Sequence, residues 1–433
     1  MSRSPAMALA TTLARVRAAG GRAALFLFAF ALGKGSAFFG PLLLSQVMSI
    51  QDYGTAELGL SIGVIGAQIL SLGIPGAIPQ LVLIRKDDRV LDLLFFVVAS
   101  IGLIGLGAAA IAWAASGPLL PAFAGVAMAG AGAQVAASVY YRAMGRRFGI
   151  LVADNLALYV FLIVGALAFA ALRQVPLWAV ILGCGAVSLG LTLFALAGLV
   201  RTIRPRFFAA HADARRMGFF MMVNSLVYFA IVNSSRVLVG FFLTVEAVSV
   251  YAVCFRISAA IFLVHQLIVT AFFKALYEAS AEWFDRFYLA LLALTMAGAA
   301  MILAGFELFG AELLPGWRAH LPEMSRLLPI VCMQTIWWVS LAHVELRVNR
   351  ALISKQATMW LLGCAGLMVA ALALLKALAL LTLSTAALVF AGTLLLALHI
   401  QLKLLERNGV ALPRMRIALF APLVFLVPAW FLA

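Results

Sequence analysis

The chain has 433 residues, of which 65% are hydrophobic and only 11% are charged, and it carries a formal net charge of +15. This composition leaves too little polar surface for a water-soluble globular protein, and it excludes that class. Apolar runs of about 20 residues recur along the chain, each long enough to cross the ~30 Å hydrocarbon core of a bilayer. We therefore predict an all-α polytopic membrane protein.

Twelve of these apolar runs predict membrane-spanning helices. In chain order they lie at residues 23–47, 58–84, 93–115, 119–141, 150–172, 177–200, 219–243, 249–273, 288–310, 326–346, 357–375 and 380–402. A shorter candidate at 417–433 would add one extra C-terminal helix. The first span follows a basic leader, but its apolar run is too long for a cleaved signal peptide and contains Lys34.

The basic residues predict the orientation. If the N-terminus is cytoplasmic, 24 of the 31 Lys and Arg residues fall in alternate segments on the cytoplasmic side, 4 on the opposite side and 3 inside spans. Because positive charge accumulates on the cytoplasmic side of membrane proteins, we expect a multi-pass protein of the bacterial cytoplasmic (inner) membrane with its N-terminus in the cytoplasm. The net charge then reflects topology and contact with anionic lipids, and we expect no nucleic-acid partner.

A weak internal repeat predicts two halves. Shifting the chain by 195 residues places "SIQDYGTAELGLSIG" on "TVEAVSVYAVCFRIS" and aligns the first two spans with the seventh and eighth. Because each half has six spans, both insert with the same polarity and leave a central cavity between two six-helix bundles. The predicted parts are a basic leader (1–22), an N-terminal bundle (23–200), a cytoplasmic linker (201–218), a C-terminal bundle (219–402), and a basic loop with the candidate thirteenth helix (403–433).

Three cations lie inside predicted spans, where charge is most costly: Lys34, Arg236 and Arg256. On insertion scales a Lys or Arg at the bilayer centre costs about 2.5–3.5 kcal/mol. We see no equal set of acids at the same depth, so we expect these side chains to bind an anionic group of a substrate, such as a diphosphate. The alternative is structural: each cation could pair with a carbonyl or a polar neighbour, or extend towards the interface.

Other polar residues within spans are weaker candidates. Asn224 and Asn233 give the seventh span a polar face that could line a cavity or join helices. His265, in the middle of the eighth span, is a candidate coupling residue, because histidine can change its charge near neutral pH. A hydrogen-bonded packing role for His265 is the alternative.

The acids near span ends have simpler expected roles. Asp154 lies one turn inside the fifth span, and we expect it to pair with Arg142, Arg146 or Arg147 at the cytoplasmic mouth rather than to carry an ion. Glu57 lies near the end of the second span, and we expect it at the membrane interface.

The segment "SLGIPGAIPQ" places backbone breakers in the cytoplasmic half of the second span. They are Gly73, Pro75, Gly76 and Pro79. Two prolines remove helix hydrogen bonds and force a kink, which a membrane tolerates where neighbouring groups or water satisfy the freed carbonyls. We predict a hinge here, with a static kink as the alternative.

We expect no enzymatic activity, no cofactor and no metal site. The four cysteines lie singly in four different spans, which predicts no disulfide and no CxxC chemistry. The sequence has no HExxH motif, ligand cluster or nucleophile elbow. Its short loops leave no room for a soluble catalytic domain.

Four segments carry a family resemblance: "LGKGSAFFGPLLLSQVMSIQDYGTAELGLSIG", "LSLGIPGAIPQL", "YYRAMGRRFG" and "NSSRVLVGFFLTVEAVSVYAVCFRIS". In them the sequence resembles the polysaccharide-unit flippases (Wzx-type) of the multidrug/oligosaccharidyl-lipid/polysaccharide exporter superfamily. In the last segment the family has an Asp-Arg pair; here Ser235 stands at the Asp position and Arg236 at the Arg position. The resemblance covers most of residues 25–345 and implies two six-helix bundles that operate by alternating access.

The resemblance also implies a function. The expected activity is transfer of a polyprenyl-diphosphate-linked oligosaccharide from the inner to the outer leaflet, for surface polysaccharide biosynthesis. The expected partners are this substrate and membrane lipids, with a polysaccharide polymerase or assembly proteins as further candidates. The alternatives are a cation-coupled drug or small-molecule exporter, which needs a deep acid, and a membrane glycan polymerase or ligase, which needs a large outer loop.

Overall fold

The computed structural model describes residues 28–83, 85–115, 119–203, 205–351 and 353–427, and most of these residues are helical, with no strand among them. The α-helices in this part of the chain are α1 (Phe28–Leu44), α2 (Ile50–Leu70), α3 (Ile74–Leu83), α4 (Leu93–Ala114), α5 (Leu119–Ala143), α6 (Arg147–Ala153), α7 (Leu156–Leu172), α8 (Leu177–Thr202), α9 (Pro205–Asn233), α10 (Ser235–Phe242), α11 (Val245–Glu278), α12 (Ala281–Leu313), α13 (Leu321–Arg350), α14 (Ser354–Ala377) and α15 (Leu383–Arg407). The predicted leader at 1–22 lies outside the described residues.

The fold class is confirmed. Within the described residues, eight helical regions are long and apolar enough to cross a membrane: those of α4, α5, α8, α11, α12, α13, α14 and α15. Helices α1 and α7 are shorter apolar helices. The protein is therefore an all-α polytopic membrane protein.

Each of three predicted spans is divided into two helices, and in the second span the division lies at Gly73, one of the predicted backbone breakers. Helices α2 and α3 replace 58–84, α6 and α7 replace 150–172, and α9 and α10 replace 219–243. Two further boundaries differ: α2 begins at Ile50, eight positions before the predicted span, and residues 205–218 of the predicted linker form the first half of α9. Hydropathy locates apolar segments but does not detect a backbone break inside them.

The C-terminal segment does not form a continuous α-helix over its described residues. It consists of two 3-10 helices, Arg414–Leu419 and Ala421–Phe425. The carboxylate of Asp285 on α12 accepts hydrogen bonds from the backbone N–H of Arg414 and Met415, and Trp337 on α13 donates to the carbonyl of Ala418. These bonds hold the segment against the bundle; residues 428–433 of the predicted thirteenth helix lie outside the described part.

Helix α2 lies where two packing groups meet. Helices α4 and α8 pack against α5 in the first group, and α11, α12 and α15 pack against α13 in the second. Helix α2 contacts α5 of the first group and α10 and α11 of the second, while α3 packs against α9. Side chains on α2 can therefore join the two groups, although the division into two six-helix bundles stays a prediction.

Helices α2 and α11 begin in the same way. The Ser49 hydroxyl accepts a hydrogen bond from the backbone N–H of Asp52, and the Thr244 hydroxyl accepts one from Ala247. Both hydroxyls satisfy an N–H of the first helical turn that has no partner within its helix. Ser49 and Thr244 are equivalent under the predicted 195-residue shift, so the starts of these two helices agree with the repeat.

Candidate functional site

Glu57 lies buried between Arg236 and Arg256. The Arg236 Nη1 atom is 2.6 Å from Glu57 Oε2, and Arg256 donates to Glu57 Oε1 from Nη2 at 2.9 Å and from Nε at 3.1 Å. Glu57 is only 1% exposed. Glu57 is therefore enclosed by the protein and supplies an acid to both arginines, a pairing that the sequence analysis did not predict.

The start of α2 explains the position of Glu57. Because the helix begins at Ile50, Glu57 lies two turns inside it rather than at its end. Tyr53, four residues earlier on the same helix face, donates its hydroxyl to Glu57 Oε1 at 3.1 Å. The Ser49 cap and the Tyr53 hydrogen bond therefore fix the height and the orientation of this carboxylate.

The cluster of Glu57, Arg236 and Arg256 carries more positive than negative charge. Two guanidinium groups share one carboxylate, which leaves one formal positive charge in a buried site. The Arg236 Cζ atom also lies 5.0 Å from the centre of the Phe255 ring, within the range of a cation–π contact. The Arg236 Nε atom has no hydrogen-bond partner among the described residues, so the cluster retains a donor for a further anionic oxygen.

Lys34 belongs to a second charged cluster. Its Nζ atom is 3.7 Å from Asp154 Oδ2, while Arg142 Nη2 is 3.0 Å from Asp154 Oδ1. Ser138 also donates to Asp154. The predicted pairing of Asp154 with Arg142 is confirmed. Lys34 also lies beside Asp154, a pairing that the sequence analysis did not predict. This cluster also has two cations and one acid.

Gln134 stabilises the break between α6 and α7. Its Nε2 atom donates to the carbonyl of Asp154 and its Oε1 atom accepts from the N–H of Ala157, both at 3.0 Å. A membrane offers no water to such backbone groups, so a broken helix needs partners from its neighbours. Sequence reasoning missed Gln134; a single amide within the small-residue helix α5 was the available signal.

A cavity of about 480 Å³ adjoins the Lys34 cluster. Lys34, Arg142 and Asp154 line it together with Gln134 and Ser138. The four predicted hinge residues also line it: Gly73, Pro75, Gly76 and Pro79. Irregular backbone at membrane depth is tolerated where it borders a cavity, and both the α2–α3 break and the α6–α7 break border this one.

The predicted kink in the second span is confirmed, whereas its motion stays a prediction. Helix α2 ends at Leu70, and α3 begins at Ile74 after backbone with positive φ at Leu72 (52°) and Gly73 (73°). Gly73 lies directly against Gly218 of α9, and a Cβ atom on either glycine would overlap the carbonyl oxygen of the other. Glycine is therefore required at this contact by both space and conformation.

The structure does not bring all the predicted site residues together. Arg236 and Arg256 share Glu57 but do not line the cavity that Lys34 lines. The predicted role of all three in binding a diphosphate stays a prediction. The reason given for that role changes, because each of the three cations already has an acid within ion-pair distance.

His265 is buried beside a second histidine. Its ring centre is 6.0 Å from that of His343 on α13, and no ring nitrogen of either has a hydrogen-bond partner among the described residues. The backbone of Asn224 and Asn233 lies in α9, but their side chains lie outside what the structure describes. The predicted roles of these three residues stay untested.

The described residues contain no group of three or more His, Cys, Asp or Glu side chains that could hold a metal ion. Comparisons with protein-family models, with curated proteins and with solved structures gave no match. The resemblance to the polysaccharide-unit flippases therefore stays a prediction from the sequence segments quoted above.

Proposed function

We propose that the protein is a flippase that moves a polyprenyl-diphosphate-linked oligosaccharide from the inner to the outer leaflet of the bacterial cytoplasmic membrane, for surface polysaccharide biosynthesis. The observation that supports this most strongly is the cavity beside Lys34, where two cations face one acid. Such a site attracts an anion and repels a cation. No substrate chemistry is required of the protein, so transport does not call for an enzyme.

The lining of the cavity suits a charged glycolipid headgroup. Lys34 and Arg142 supply charged donors for a diphosphate, and phosphate oxygens bind guanidinium groups through two parallel hydrogen bonds. The amide of Gln68 and the hydroxyl of Ser71 can bind sugar hydroxyls. The volume of about 480 Å³ falls within the range of ordinary ligand pockets.

Contacts at both ends of α2 support alternating access. In its first half, Glu57 binds arginines of α10 and α11; just beyond its end, Gly73 touches Gly218 of α9. Both contacts join the first helices of the chain to later ones. In the proposed cycle the two contacts open in turn, so that the cavity reaches one leaflet at a time.

A cation or drug exporter is the second candidate. The observation that favours it is the buried Glu57, since such an exporter needs a deep acid. Against it, Glu57 contacts two arginines and Asp154 contacts two cations, so neither carboxylate has charge left for a cationic substrate.

The orientation is part of the proposal. With the N-terminus in the cytoplasm, the loop before α2 faces the periplasm and the loop after α3 faces the cytoplasm. A single cysteine at Gln51, placed in a background without the native cysteines, should react with an impermeant thiol reagent in intact cells, whereas one at Asp87 should not. Labelling only at Asp87 would reverse the assignment.

The function is tested directly by reconstitution. Purified protein is placed in liposomes that contain a fluorescent polyprenyl-diphosphate oligosaccharide, and an impermeant glycosidase reports the fraction of glycan in the outer leaflet. We expect the protein to move glycan between leaflets faster than protein-free liposomes do, and to discriminate against the same glycan on a lipid cation. A rate equal to that of protein-free liposomes would refute the flippase, and preferential movement of the lipid cation would favour the exporter.

A further inference from the structure

The Glu57 contact belongs to a larger closed interface at the start of α2. On the same side, Ser249 of α11 donates to the carbonyl of Ile50, and Trp317 donates its indole N–H to the Ser45 hydroxyl at 3.1 Å. Gly54 of α2 lies directly against the backbone of Val245 at the start of α11. Within this interface, the ion pairs of Glu57 with the two arginines are its only contacts between full charges among the described residues.

Glu57 occupies the donors that an anionic ligand would use. Arg256 directs Nε and Nη2 at one carboxylate oxygen, and Arg236 directs Nη1 at the other. A carboxylate and a phosphate bind this donor arrangement alike, through paired N–H···O hydrogen bonds. A carboxylate carries only one negative charge, however, so it leaves one positive charge and the Arg236 Nε donor unused.

We propose that Glu57 is a built-in competitor of the substrate diphosphate: it fills the Arg236–Arg256 site when that site holds no substrate, and a diphosphate that takes these donors displaces it. This inference rests on the proposed function for the identity of the anion, and it assigns that anion a second site, because Arg236 and Arg256 do not line the cavity beside Lys34. Because Glu57 is on α2 and the arginines are on α10 and α11, displacement of Glu57 removes the ion pairs that hold α2 against the later helices.

The proposal links anion binding to opening. Glu57 and a diphosphate cannot occupy the same guanidinium N–H groups at once, so binding of one is coupled to release of the other. An anion that binds the arginines then favours the state in which α2 has separated from α11. The diphosphate carries at least two negative charges and the Glu57 carboxylate carries one, which favours the exchange.

Distances between spin labels test this coupling in the full-length protein. Labels are attached to cysteines at Gln51 and Glu246, which are exposed and lie at the starts of α2 and α11, in a background where the native cysteines are alanine. The protein is studied in lipid nanodiscs with inorganic diphosphate as the probe and potassium chloride at equal ionic strength as the control. We expect diphosphate, but not chloride, to lengthen this distance.

Variants of Glu57 distinguish a competitor of the diphosphate from an acid with a purely structural role. Because Glu57→Gln could fail to fold, Glu57→Asp is used beside it: the shorter side chain keeps the charge but cannot keep all the arginine contacts. We expect each foldable variant to lengthen the distance without diphosphate and to bind diphosphate about tenfold or more tightly, since tenfold corresponds to loss of a modest competing interaction. Arg256→Gln should remove the response to diphosphate, and Glu282→Gln, at an exposed acid, should keep it.

The outcomes are distinct from those of the flipping assay. If diphosphate leaves the wild-type distance unchanged at saturation, or if the Glu57 variants bind diphosphate no more tightly than wild type, the competitor role is wrong even where flipping is observed. If diphosphate separates the labels but no glycan crosses the bilayer, the competitor role stands and the proposed flippase is wrong.

Discussion

Replacing Glu57 by glutamine should destabilise the protein more than replacing either arginine that binds it. The wild-type cluster has one acid and two cations, so Glu57→Gln leaves two buried positive charges with no anion. Arg236→Gln instead leaves the neutral pair of Glu57 and Arg256. The order of effects follows from the sharing of one carboxylate by both arginines.

The magnitudes follow from burial. Glu57 is 1% exposed and its side-chain partner Arg256 is 6% exposed, so solvent screens the charges little. Removing one partner of a buried ion pair costs about 3–5 kcal/mol, because an uncompensated charge remains. Arg236→Gln loses a hydrogen bond to a charged group, which is worth about 1.5–3 kcal/mol. The exposed pair of Glu282 with Arg286 should contribute only about 0.3–0.5 kcal/mol.

Thermal unfolding of the detergent-solubilised variants measures this order. The fraction that stays monodisperse after heating should fall at the lowest temperature for Glu57→Gln, at an intermediate one for Arg236→Gln, and at almost the wild-type temperature for the control Glu282→Gln. If Glu57→Gln is no less stable than Glu282→Gln, or if Arg236→Gln is the least stable of the three, the shared-carboxylate account is wrong.

Two further predictions concern the helix breaks. Gln134→Leu should destabilise the protein by about 1–3 kcal/mol in the same unfolding assay, because the backbone groups of Asp154 and Ala157 would lose their partner. Wild-type stability of this variant would show that these backbone groups have other hydrogen-bond partners. Gly218→Ala should slow flipping without preventing insertion, since the added methyl group overlaps the Gly73 carbonyl and holds this contact open; flipping at the wild-type rate would show that the close contact is not part of the cycle.

Much of the fold follows from hydropathy and charge. Apolar runs of membrane-crossing length predicted the class, and charges inside these runs identified Lys34, Arg236 and Arg256. The partners of the arginines were not predictable, because Glu57 is 179 residues from Arg236 and 199 from Arg256 in sequence. Only the fold brings such positions together.

Local sequence signals could have corrected the predicted position of Glu57. Ser49 followed by the acidic Asp52 is a typical helix start, and it would have placed Glu57 inside α2 rather than at a span end. The break at Asp154 was harder to predict, since its stability depends on the side chain of Gln134, 20 residues away on another helix. Long-range side-chain contacts of this kind leave no periodic pattern in the sequence.

The central claim is that the positive charge of the cavity selects a diphosphate-bearing lipid for transport. The most direct measurement compares flipping rates of one glycan on diphosphate-linked and uncharged lipids, for wild type, Lys34→Gln and the control Lys403→Gln, whose lysine is exposed and pairs with Glu406. Lys34→Gln should lower the preference for the diphosphate by about tenfold to a hundredfold, the value of a charged hydrogen bond, while Lys403→Gln keeps it. An unchanged preference in Lys34→Gln, at equal expression and insertion, would contradict the account.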